Sequence, residues 1–122
     1  MKTLTKLGLT LCLSSAFLFA AVNIYRGQLM DASCYNQNPS APGKAWVRCV
    51  PTGATTDFAI HTDGRIRMLD PAGNTKALAA LQAGDLKQDR NGDMPVVIDG
   101  HRHGNTIRVE GIRAHKSDIT VH

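Results

Sequence analysis

Thr56-Asp57-Phe58-Ala59-Ile60-His61-Thr62, then Asp63-Gly64, then Arg65-Ile66-Arg67-Met68-Leu69, then Asp70-Pro71-Ala72-Gly73-Asn74 and an alanine-rich run closed by Gly84: this stretch decides the fold. Two alternating runs flank Asp63-Gly64. Asp-Gly there is a strong hairpin signal, because a two-residue type I′ turn holds both central residues at positive φ. Phe58 and Ile60 share one face of the first strand, and Ile66 and Met68 share one face of the second. That gives the hairpin a core side, with Arg65 and Arg67 on a wet side. Asn74 is placed to cap a helix. Thr75 to Ala83 favours helix, Leu78 and Leu81 dock it on the core, and Gly84 suits the left-handed position after its end.

Working outward, Asn23 to Ser33 reads as a first strand. Tyr25, Gly27 and Leu29 lie on one face, and Arg26, Gln28 and Met30 on the other. Gly27 in mid-strand marks a bend or bulge, or the close approach of another backbone. A strand curled enough to serve two parts of a small barrel needs such a residue. On the other side, Asp85 to Pro95 is a polar connector, and Met94 to Asp99 begins a strand with Val96 and Ile98 on one face. His101 to Asn105 reads as a turn, and Thr106 to Arg113 as the last strand. Its apolar phase runs through Ile107 and Val109, then slips at Gly111 to Ile112, the mark of a bulge or corner. Ala114 to His122 is a polar tail. The order is mainly β with one short helix, β-β-β-α-β-β, which is that of a five-stranded OB-like small barrel. Closing the sheet also removes exposed edges.

Residues 1–22 read as a signal peptide. Lys2 and Lys6 precede an apolar run from Leu7 to Ala21, and Ala20 and Ala21 are small enough for cleavage. The run falls short of the ~20 apolar residues of a spanning helix, so no stable membrane span is expected after processing. Cys12 follows Leu11 rather than a small residue, which argues against a lipoprotein signal. Residues 23–122 are then a single domain, periplasmic or secreted. The chain has 14 Lys and Arg against 10 Asp and Glu; without Lys2 and Lys6, twelve stand against ten, a net charge of +2. That is weak attraction for a polyanion.

Cys34 and Cys49 are the cysteines that remain. An even pair in an exported chain reads as a disulfide. The segment between them carries Asn36, Asn38, Pro39, Pro42 and Gly43 and is turn-rich. Ala45 to Cys49 reads equally as a helical turn or an extended piece, with Trp46 as a lid over one end of the core. Closing a loop of about 15 residues stabilises by ~3 kcal/mol on the chain-entropy account. A redox site would need closer cysteines, and a zinc site two more ligands at finger-like spacing.

The segments Gly27-Gln28-Leu29-Met30-Asp31-Ala32-Ser33-Cys34, Thr62-Asp63-Gly64 through Leu81, and Val97-Ile98-Asp99-Gly100 through Val109 together resemble a group of small exported bacterial OB-like domains of uncharacterised function. The resemblance implies a secreted barrel with a cysteine-bearing first strand. It implies no activity and carries over no functional residues.

Candidate sites are few. His101 and His103 are two apart, so on a strand they share a face and can take one metal between them, with His61 or His115 as a third ligand. Asp85, Asp89, Asn91 and Asp93 suggest a calcium loop. However, Gly92 precedes Asp93, and Gly100 stands where an EF-hand needs Glu, so a solvated turn is the better reading. OB barrels that bind nucleic acid use aromatic platforms in a positive groove. Here only Tyr25, Tyr35, Trp46 and Phe58 remain after processing, Phe58 belongs to the core, and export removes the chain from cellular nucleic acid. No nucleophile elbow or phosphate loop is present. The expectation is a binding or structural module of the cell envelope, without cofactor or catalytic centre, whose partner is an envelope protein or a small ligand. The alternative is a histidine-dependent periplasmic metal-binding protein.

Overall fold

A computed structural model describes residues 22–37 and 49–116. Five strands and two helices follow in order: β1 Asn23–Asp31, α1 Ala32–Gln37, β2 Phe58–Thr62, β3 Arg65–Leu69, α2 Pro71–Gln82, β4 Pro95–His103 and β5 Thr106–Ala114. The strands close into a barrel in the order β1-β2-β3-β5-β4. All ladders are antiparallel except the seam between β3 and β5, which is parallel. The signal-peptide reading, Trp46 and most of the polar tail fall outside the described residues.

The Asp63-Gly64 turn forms as expected, with φ of 51° and 74°. Its geometry corrects the faces assigned to β3. A two-residue turn places Thr62 opposite Arg65, Ile60 opposite Arg67 and Ala59 opposite Met68. Opposed residues share a face. Ile60 and Phe58 belong to the main core, so Arg65 and Arg67 lie on the barrel-facing side, with Leu69 as the apolar member of that row. Ile66 and Met68 turn outward and pack on a second cluster of Met30, Ala32, Cys49 and Ala59. The rest of the interior is filled by Leu29, Phe58, Ile60, Val96, Ile98 and Ile107, each 0–2% exposed.

β1 bridges two neighbours, as Gly27 foretells. Asn23 to Gln28 pair with β4, and Gln28 to Asp31 pair with β2. The expected slip in β5 is present: Asp99 faces Gly111 while Gly100 faces Val109, leaving Glu110 without a partner in the ladder. The last hairpin is tighter than the sequence suggests. His101 to His103 belong to β4, and the turn is confined to Gly104-Asn105, with Gly104 at φ 61°.

The expected helix begins earlier than its composition suggests, and a second, unexpected helix follows β1. α2 starts at Pro71, not Thr75, and its cap is Asp70 rather than Asn74. Proline is favoured at a first helical position because its missing N–H has no helical partner there. Gly73 is needed inside the first turn, since a Cβ there would stand 2.5 Å from Val109 Cγ2. Asn74 instead accepts from Phe58 N–H at 2.8 Å, tying α2 to β2. The helix ends as expected: Gly84 N–H donates to Leu81 O and Asp85 N–H to Ala80 O, with Gly84 at φ 81°. Ala77 is fully buried, and Leu78 and Leu81 pack against the main core.

α1 replaces the last residues of the expected first strand, so Cys34 is helical and not strand-borne. Asp31 turns the chain. Its Oδ1 accepts from Cys34 N–H at 3.0 Å, which caps the helix, and its Oδ2 accepts from the Thr55 hydroxyl at 2.8 Å. Asp31 N–H donates to Cys49 O at 2.8 Å.

Asp70 fastens the parallel seam. Its Oδ1 accepts from Gly73 N–H at 2.9 Å and from Val109 N–H at 3.1 Å, and its own N–H donates to Ile107 O. Asp70→Ala removes a cap and leaves the Val109 N–H without its acceptor, an expected loss of about 2 kcal/mol. Asp70→Asn keeps the Oδ1 acceptor and is expected to recover most of it. Urea unfolding of the two variants checks this; equal losses would mean that the accepting oxygen does not carry the effect.

Candidate functional site

Among the described residues, the main core is closely filled by buried apolar side chains. The space beside Gln28, Leu29, Met30 and Met94 has essentially no volume open to water. Among the described residues, larger concavities lie at the surface. α2 packs where β2 begins and β3 ends, through Ala77, Leu78 and Leu81 on the main core and Asn74 on Phe58. Among the described residues, no helix covers the opposite end, at the Asp63-Gly64 tip.

Strand pairing dictates what stands there. Arg67 lies opposite Ile60, Arg102 opposite Ile107, Arg65 opposite Thr62, and Tyr25 opposite Ile98. Ile60, Ile98 and Ile107 belong to the main core, so these longer side chains continue the inward-facing rows past the last core layer. Their stems cover apolar surface while the heads reach water. They form a groove of about 410 Å³, with Asn23, Ile24, Thr62 and Asp63 completing its lining. Arg67 is half-buried and donates from Nη1 to Gly104 O at 3.3 Å. Among the described residues, no carboxylate pairs with Arg65, Arg67 or Arg102.

A second concavity lies on the outer wall, lined by Arg26, Val97, Arg113, Ala114, His115 and Lys116. Its Arg113 is already bound to Asp99 at 2.8 Å.

The histidines singled out by sequence are placed as follows. His101 and His103 both lie on the outward side of β4. His101 Nε2 meets Glu110 Oε2 at 3.1 Å, and His103 is exposed. His61 lies on β2 opposite Ile66 and Gln28, and His115 follows β5 beside Lys116. Among the described residues, no group of three or more His, Cys, Asp or Glu is arranged to hold a metal ion. In the 85–93 connector, Asp89 Oδ1 accepts from the N–H groups of Asn91 and Asp93, the bonding of an Asx turn. Cys34 and Cys49 form a disulfide with Cα atoms 5.6 Å apart.

Alternation in the sequence alone does not disclose the arginine mouth, because it puts Arg65 and Arg67 on a wet side and Arg102 in a turn. The signal was present in the turn length, which fixes the parity of β3 against β2.

Comparison with known proteins adds no relative: the chain matches no protein-family model, no curated protein and no solved structure.

Proposed function

We propose that this protein is an exported binding module of the bacterial cell envelope that works by surface contact at the Asp63-Gly64 end of its barrel. The observation that carries the reading is the arginine-lined mouth above a filled core. Three lines of support accompany it. The disulfide suits an oxidising compartment. Residues 1–22 have the pattern of a signal peptide. The strand order, with α2 between the third and fourth strands, fits the small exported OB-like domains that the sequence resembles. Among the described residues, no helix is long and apolar enough to cross a membrane. The metal-binding alternative has a histidine pair, but His101 is engaged by Glu110.

The export half is tested by joining a reporter phosphatase, active only when its own disulfides form, after residue 122. Reporter activity is expected, together with its loss on deleting residues 1–22. A cytoplasmic, inactive fusion with free thiols at Cys34 and Cys49 would overturn the reading.

A further inference from the structure

We propose that the barrel mouth is a site for a phosphate monoester carried on an organic body. The inference rests on the surface-binding reading above and names the ligand class. Arg65, Arg67 and Arg102 bring three positive charges and Asp63 one negative charge to a single groove, a net of +2. A phosphate monoester carries about −1.5 to −2 near neutral pH and offers three strong acceptor oxygens. A carboxylate would leave a surplus positive charge. Guanidinium forks match such oxygens in pairs, which a lysine cannot do.

The groove is also partly organised before a ligand arrives. Arg67 is held through Nη1 on Gly104 O, with its stem half-buried, so less freedom is lost on binding. Arg65 and Arg102 are exposed and free to close over the anion from β3 and β4. Tyr25, which packs against the main core, flanks the cations and gives an apolar rest for the body of the ligand. The outer groove holds Arg26, Arg113 and Lys116, but Asp99 occupies Arg113, so a single guanidinium fork is left there against three in the mouth.

The same chemistry is found on a soluble sugar phosphate and on a lipid headgroup. The purified protein is titrated by NMR with glucose 1-phosphate, with glucuronate as the carboxylate counterpart, and mixed with phosphatidylcholine vesicles with and without phosphatidic acid. Glucose 1-phosphate is expected to shift the amides of Tyr25, Arg65, Arg67 and Arg102 saturably, with glucuronate about tenfold weaker. Arg67→Gln is expected to weaken binding about tenfold or more, Arg67→Lys nearly as much, and Arg26→Gln not at all. Tighter retention on phosphatidic acid vesicles assigns the lipid source; binding of the soluble ester alone assigns the free one. Equal affinity for the two sugars, shifts spread over both grooves, or wild-type affinity in Arg67→Gln and Arg102→Gln would each overturn the assignment. The two readings fail separately. No binding by a protein recovered from the envelope removes the phosphate site alone, and binding by a protein retained in the cytoplasm removes export alone.

Discussion

Gly27→Ala is expected to destabilise the barrel by at least ~3 kcal/mol, although it adds a single methyl group. A Cβ at this position would stand 2.0 Å from His61 O, 2.9 Å from His61 C and 3.1 Å from Thr62 Cα. All three are backbone atoms, so no rotamer change relieves the clash. Gly27 sits where β1 passes from β4 to β2: Gln28 faces Pro95 on one side and His61 on the other. Room for the methyl group means drawing β2 away from β1, which breaks ladder hydrogen bonds worth about 1 kcal/mol each in addition to the overpacking. Gly53→Ala is the matched control. Nothing lies within 4 Å of its added Cβ, and its φ is not in the left-handed region; its effect is expected to stay within about 0.5 kcal/mol. Urea denaturation checks the pair. In thermal melts the difference should exceed roughly 10 °C for a domain of this size. Similar midpoints for the two variants would show that β1 and β2 do not approach each other this closely.

That constraint was legible in the sequence as a glycine inside an alternating strand, and so were the hairpin, the slip at Gly111 and the close of α2 at Gly84. These are local signals: each depends on a turn geometry or on a residue that only one conformation suits. What was not legible depended on contacts across the chain. Asp70-Pro71-Ala72-Gly73 reads as a loop by composition, yet it is the first turn of α2, because Asp70 finds Val109 N–H and Gly73 fits against the Val109 side chain. α1 was hidden likewise, since Asp31 caps it while also holding Thr55, 24 residues away. The mouth is an intermediate case. Counting outward from Asp63-Gly64 pairs Ile60 with Arg67, so the inward position of two arginines was open to arithmetic. The approach of Arg102 was not, because it required the closure of β4 and β5 onto the same barrel.

Replacing both Cys34 and Cys49 by alanine is expected to cost about 3 kcal/mol. The bridge closes a separation of 15 residues, and its main effect on the chain-entropy account is to restrict the unfolded chain. A smaller native-state loss accompanies it. Cys49 is 2% exposed against Met30, Ala32 and Ala59, so the exterior cluster gives up packing when its sulfur is removed. The surrounding hydrogen bonds do not depend on sulfur: Asp31 still accepts from the residue at position 34 and donates to the carbonyl at 49 through the backbone. The variant should therefore fold to the same barrel with a lower urea midpoint. Reductant should lower the midpoint of the wild-type protein toward that of the variant and leave the variant unmoved. An unchanged wild-type midpoint under reductant would mean that the bridge contributes nothing to stability. Domains of this kind are stable by about 5–15 kcal/mol in total. A loss of about 3 kcal/mol raises the unfolded fraction more than a hundredfold. The folded population in a reducing compartment then depends on a core of limited size, which is why the cysteine pair ties the structure of this barrel to where the chain resides.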